Sequence, residues 1–143
     1  MQAQVDRFAD TPELRDMLAY HMGWIGPDAG PRARGKRIRP LLLLLVNQAV
    51  GGTWEHALPA AAAVEFIHNF SLLHDDIQDN SPTRRGRPTV WARWGVAQAI
   101  NAGDAMFSLA FRVLDALREH HPADTVLDLH RTLADACMAL TQG

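Results

Sequence analysis

The chain reads as an all-α protein. Apolar residues run in helical stretches, the breaks between them fall at glycine and proline, and no segment alternates apolar and polar residues as a half-buried strand would.

Each helix follows from local signals. Thr11-Pro12-Glu13 supplies an N-cap, a first-turn proline and an acid at the positive helix end, so a first helix is expected to about Met22. Residues 24–35, rich in Gly and Pro, read as loop. A second helix is predicted over Arg37–Val50, stopped by Gly51-Gly52. Pro59 can open a long helix that ends before Ser81-Pro82. After a loop, Val90–Glu119 is helical with a break expected near Gly95, Pro122 ends it, and a last helix covers Ala123–Leu140.

The chain has 143 residues, enough for one modest domain with its own core, and 48% of them are apolar, which excludes a disordered chain. The net charge of −2 gives no electrostatic reason to expect nucleic acid as a partner. The lone cysteine, Cys137, forbids an intramolecular disulfide and suits a reducing compartment, so a cytoplasmic location is expected. Asp6, Asp10 and Glu13 replace the basic-then-apolar pattern of a signal peptide, and none is expected. The longest apolar runs, residues 41–46 and 58–64, fall far short of the roughly 18 residues that span a membrane.

The chemistry concentrates between Leu72 and Trp91, LLHDDIQDNSPTRRGRPTVW. On a helix Asp75, Asp76 and Asp79 fall within an arc of about 100°. Such gathered charges repel unless a cation neutralises them, and Mg²⁺ favours one or two carboxylates plus phosphate oxygens and water. Three acids so close also describe a solvated helix end, but here they follow the largely apolar FIHNFSLLH. Two basic groups accompany them. Gly35-Lys36-Arg37-Ile38-Arg39-Pro40 opens a helix, where backbone N–H groups favour anions, and Arg84-Arg85-Gly86-Arg87 follows the acids. Arginine gives bidentate phosphate contacts and lysine a point charge. Acids and bases together indicate a site for a metal-complexed diphosphate.

These segments resemble the trans-isoprenyl diphosphate synthases. GKRIRP, VEFIHNFSLLHDDIQD, RRGRPTVW and INAGDAMF occur in order from Gly35 onward. Within that family the chain looks most like the geranylgeranyl diphosphate synthases, because DDIQD lacks an insertion seen in bacterial farnesyl synthases. The resemblance implies the first half of the isoprenoid synthase helical bundle and condensation of isopentenyl diphosphate with an allylic diphosphate. It makes Asp75, Asp76 and Asp79 the Mg²⁺-binding motif and Arg84 the allylic-diphosphate arginine. It places Lys36, Arg39, His68 and Arg85 in the isopentenyl diphosphate pocket, and Phe70 and Ser71 at the pocket that sets a short, farnesyl or geranylgeranyl, product length. His74 is expected to pack, Trp91 and Trp94 to pack at i,i+3, and Asp104 to hydrogen-bond between helices.

One departure stands out. The family has a second aspartate-rich motif and later lysines, whereas here the later aspartates are scattered and Lys36 is the sole lysine. The chain is therefore expected to be a single partial domain, residues 1–143, inactive by itself, that associates with copies of itself or with a partner supplying the other half. A non-catalytic diphosphate-binding subunit is the alternative. A terpene cyclase fits less well, having no need of the GKRIRP and RRG groups.

Overall fold

The computed structural model describes residues 1–142. These form helices α1 (Gln2–Val5), α2 (Pro12–His21), α3 (Pro31–Arg34), α4 (Ile38–Ala49), α5 (Leu58–Gln78), α6 (Val90–Trp94), α7 (Val96–Leu114) and α8 (Ala123–Thr141). The five longer segments lie where the sequence predicts them, and the break at Gly95 (φ 87°) separates α6 from α7. No described helix is long and apolar enough to cross a membrane.

Four features depart from the sequence reading. The first ten residues carry α1 and a 3-10 turn at Asp6–Phe8, and the presumed loop at 24–35 contains the single turn α3. Thr11 does precede α2, but its hydroxyl leans back toward the Phe8 carbonyl at 3.5 Å and caps no N–H of the helix. The loop after α5 holds a two-stranded hairpin, β1 (Thr83–Arg84) with β2 (Arg87–Pro88), pairing Thr83 with Pro88 and Arg84 with Arg87. Its two turn residues, Arg85 (φ 54°) and Gly86 (φ 79°), both have left-handed backbones, as the tightest hairpin turns require. Two-residue strands are too short for any alternation to show in sequence.

By contacts the chain divides into two compact units. The first comprises Met1–Arg37 and His68–Phe107. Its buried apolar residues include Val5, Met17, Leu18, Leu73, Val90 and Met106. Within it the Tyr20 ring meets Trp94 edge-on at 5.1 Å, joining α2 to α6. Arg87 is the clamp of this unit. Its guanidinium lies 4.0 Å from the Tyr20 ring centroid and donates to the carbonyls of Tyr20 (3.1 Å) and Ile25 (2.7 Å), while the Tyr20 hydroxyl donates to Pro88 O at 2.9 Å. Gly26 (φ 101°) makes room for it, since a Cβ there would sit 2.7 Å from Arg87 Nη2.

The second unit comprises Ile38–Ile67 and Ser108 onward. Phe66, Leu109, Val113, Leu117 and Val126 are buried in it. An apolar cavity of about 230 Å³ is lined by Leu43, Val64, Leu114, Leu129 and Leu133, among others. The His56 and His120 rings stack at 3.8 Å. Helix α4 buries none of its residues, and Ile38, Leu41, Leu42, Leu45 and Val46 are each more than half exposed. That spacing is one continuous apolar stripe. The helix stops as predicted: Gly51 (φ 88°) donates to Gln48 O at 3.1 Å and Gly52 to Asn47 O at 2.8 Å, the two bonds of a Schellman motif.

The same motif closes α5, with Asn80 (φ 51°) as the left-handed residue. Asn80 N donates to Ile77 O (3.1 Å) and Ser81 N to Asp76 O (2.9 Å). The backbone of the acidic segment is thereby fixed. Asn80→Ala is expected to cost about 1 kcal/mol because its Cβ disfavours this conformation, and Asn80→Gly to cost less. Chemical denaturation of the two variants checks this; equal stabilities would show that the left-handed turn does not constrain the helix end.

Candidate functional site

The site belongs to the first unit and is built on the last turns of α5. The helix presents its three acids differently. Asp75 and Asp79 are exposed, one turn apart, with Asp79 N still donating to Asp75 O at 2.8 Å. Asp76 is 2% exposed, and its Oδ1 accepts from Arg84 Nε at 2.8 Å. The hairpin brings Arg84 to it, eight residues along the chain. Burial pushes the Asp76 carboxyl above its ordinary value of 3.8, more than the hydrogen bond and charge of Arg84 pull it down. Among the described residues, no three His, Cys, Asp or Glu side chains are gathered so as to hold a metal ion.

Arg85, at the hairpin turn, reaches the other basic segment. Its Nη1 donates to Ala33 O at 2.9 Å, and its guanidinium lies over Gly35, where a Cβ would approach it at 2.7 Å. Gly35 has φ 69°, so the close approach and the backbone both require glycine. The Arg85 charge is thus set beside the residue that precedes the exposed Lys36. Arg39 belongs to the second unit and stands exposed in the first turn of α4. His68 is half-buried on α5. It lies near His21 at the end of α2.

Phe70 and Ser71 follow on α5. The Phe70 ring packs against His74 (4.8 Å between centroids) and Phe107 (5.1 Å), and Ser71 Oγ donates to His68 O at 2.9 Å. His74 packs closely on Gly103, and its Nε2 lies 3.6 Å from Asp104 Oδ1. Helices α5 and α7 therefore meet through His74 and Asp104 as well as through aromatic rings. Trp91 does more than pack, donating from Nε1 to Ser81 O at 2.9 Å, where Thr89 Oγ1 also donates at 3.1 Å. Both bonds hold the chain that leaves α5.

Sequence reasoning missed His21 and Tyr20, and it read Arg87 only as a member of the basic group. A small cavity of about 20 Å³ is lined by these three with Asp76, Arg84 and Arg85, among others. Nothing in AYHMGW marks His21, because its surroundings come from residues between His68 and Val90, 47 to 69 residues later. Its imidazole hydrogen-bonds the Asn69 side chain. Burial, then the charges of Arg85 and Arg84, push it down from 6.5 to about 3. It is therefore neutral at pH 7.

A folded-state value below the unfolded one means that the unfolded chain takes up the proton first. The neutral His21 thus favours folding fully above pH 6.5, and stability falls as pH drops toward about 3. The slope is on the order of 1 kcal/mol per pH unit. His21→Gln is expected to flatten this slope in urea titrations between pH 6.5 and 4.5; the same slope in the variant would assign the acid sensitivity elsewhere.

Comparisons with known proteins agree with this architecture. A sequence model of the polyprenyl synthetase family matches residues 29–143. The chain is 40% identical over 154 residues to a (2E,6E)-farnesyl diphosphate synthase of Mycobacterium bovis, covering 92% of this chain and 43% of that protein. It is 43% identical over 132 residues to a geranylgeranyl diphosphate synthase of Mycobacterium tuberculosis, covering 91% and 37%. The crystal structure of a polyprenyl synthetase from Streptomyces coelicolor superposes with a TM-score of 0.85 at 41% identity, covering 99% of this chain and 40% of that one. The chain spans about two-fifths of the length of these relatives. Its all-helical fold is part of the isoprenoid synthase bundle, and the chain belongs to the polyprenyl synthetase family.

Proposed function

We propose that this chain carries the allylic-diphosphate side of a short-chain trans-prenyltransferase site, for a reaction that joins isopentenyl diphosphate to an allylic diphosphate. The observation that carries the reading is the division of labour at the end of α5. Asp76 is buried and bound to Arg84, while Asp75 and Asp79 face solvent one turn apart.

The donor set suits Mg²⁺, which takes hard oxygen ligands and commonly one or two carboxylates beside substrate phosphate oxygens. Asp75 and Asp79 would hold it; Asp76 would join them only by turning from Arg84. Bound there, Mg²⁺ would neutralise charge on a departing diphosphate. Arg84 is oriented by its Nε bond to Asp76, which presents its terminal NH₂ groups for bidentate phosphate contact. Fixed positive charge where negative charge develops lowers the barrier to ionisation without reorganisation during the step. Arg85, with Lys36 and His68, would hold the second diphosphate, so that the isopentenyl double bond attacks the allylic cation and proton loss completes a chain five carbons longer. Phe70, packed on Phe107 and beside Ser71, would limit the product to farnesyl or geranylgeranyl length. The free thiol of Cys137 suits a reducing compartment such as the cytoplasm.

Calorimetry with an allylic diphosphate tests the site. Binding is expected to require Mg²⁺. Asp75→Ala should abolish the metal dependence, and Arg84→Ala should weaken binding by roughly 1.5–3 kcal/mol with the dependence retained. Unchanged Mg²⁺ dependence in Asp75→Ala would reduce the acids to a solvated helix end.

The apolar stripe of α4 leads to a second expectation. Five large apolar side chains at i, i+3, i+4, i+7 and i+8, all more than half exposed, form a face that association would cover. We propose self-association. Sedimentation should show a concentration-dependent oligomer that Leu42→Glu with Leu45→Glu dissociates; a stable monomer at micromolar concentration would contradict it.

A further inference from the structure

Two buried polar atoms in the first unit are left without a protein hydrogen-bond partner at one place. Asp76 Oδ2 and His21 Nε2 are each fully shielded from solvent, and their residues line the same cavity of about 20 Å³. Most buried polar side-chain atoms are hydrogen-bonded to protein or ordered water, and leaving one unsatisfied costs about 1–3 kcal/mol. The space exceeds the roughly 10–15 Å³ that one water occupies and is far too small for a diphosphate.

We infer that this cavity holds one ordered water bridging Asp76 Oδ2 to His21 Nε2, and that His21 is thereby a positioning residue for Asp76 and, through it, for Arg84. The chemistry is complementary. A carboxylate only accepts, so the water donates one hydrogen to Asp76 Oδ2. His21 has one nitrogen engaged by Asn69. Whichever tautomer that bond selects, water can serve the other nitrogen, because it both donates and accepts. Asp76 is then held from two sides: Arg84 Nε on Oδ1 at 2.8 Å and the water on Oδ2. With both oxygens engaged, the carboxylate cannot rotate about χ2 without breaking a bond. The orientation of Arg84 is then fixed before any phosphate arrives.

The bridge itself does not depend on the reading of the site, but its consequence for ligand binding rests on the diphosphate assignment. The experiment therefore has two arms. A high-resolution crystal structure of the whole chain should show a water within hydrogen-bonding distance of both atoms. Direct contact between Asp76 and His21, or other protein groups on these atoms, would overturn the bridge. In the second arm Mg²⁺-dependent affinity for inorganic diphosphate is measured for two variants. His21→Phe fills the space without a partner for the water and should weaken binding roughly tenfold, the equivalent of about 1.4 kcal/mol. His21→Gln places a polar group near the position of Nε2 and should stay within about twofold of the parent, which a role in packing alone would not produce. Equal effects of the two substitutions, large or small, would overturn the positioning role. If the parent chain binds no diphosphate, the site reading fails, and the crystal structure still decides the bridge.

Discussion

The ion pair between the buried Asp76 and the part-exposed Arg84 is the contact on which the rest of the site depends. Taking a carboxylate out of water is costly, and the raised Asp76 value shows that burial outweighs its partner's charge. Such a pair persists only where surrounding structure holds both ends. Here the helix end is fixed by the Asn80 turn, and the arginine by a hairpin whose pairing sets Arg84 opposite Arg87. Asp76 and Arg84 are thus joined through two rigid supports. Removing Arg84 would leave the Asp76 carboxyl buried without its partner, which is more destabilising than losing a surface pair.

The hairpin distributes its three arginines to three tasks. Arg84 turns to the acid, Arg85 lies over Gly35, and Arg87 is spent on Tyr20 and two backbone carbonyls. Left-handed backbone at both turn residues allows adjacent arginines to diverge in this way. Of the basic cluster, Arg87 is 6% exposed and structural. Arg84 and Arg85 remain half-exposed at the surface where an anion would arrive.

The expected acid sensitivity and the site geometry share a cause. His21 sits where two arginine charges and burial all oppose its protonation. A neutral imidazole adds no charge beside a carboxylate that already has its counter-ion. The second unit shows the opposite economy: large apolar side chains on α4 stay exposed although residues in α7 and α8 are buried.

The sequence by itself determined the helices, because period, proline and glycine act locally. Gly95, Gly51-Gly52 and Pro59 punctuate the chain where the signals place them. It also located the acidic and basic segments, since residue type and spacing along one helix are visible in one dimension. It could not distribute the roles within them. That Asp76 turns inward while Asp75 and Asp79 face water depends on a hairpin too short to leave a pattern. That Arg87 is a clamp depends on Tyr20 and Gly26, more than 60 residues earlier. His21 gained its place only when α2, α5 and the hairpin enclosed it, because burial and electrostatic surroundings are properties of packed neighbours and not of the chain order.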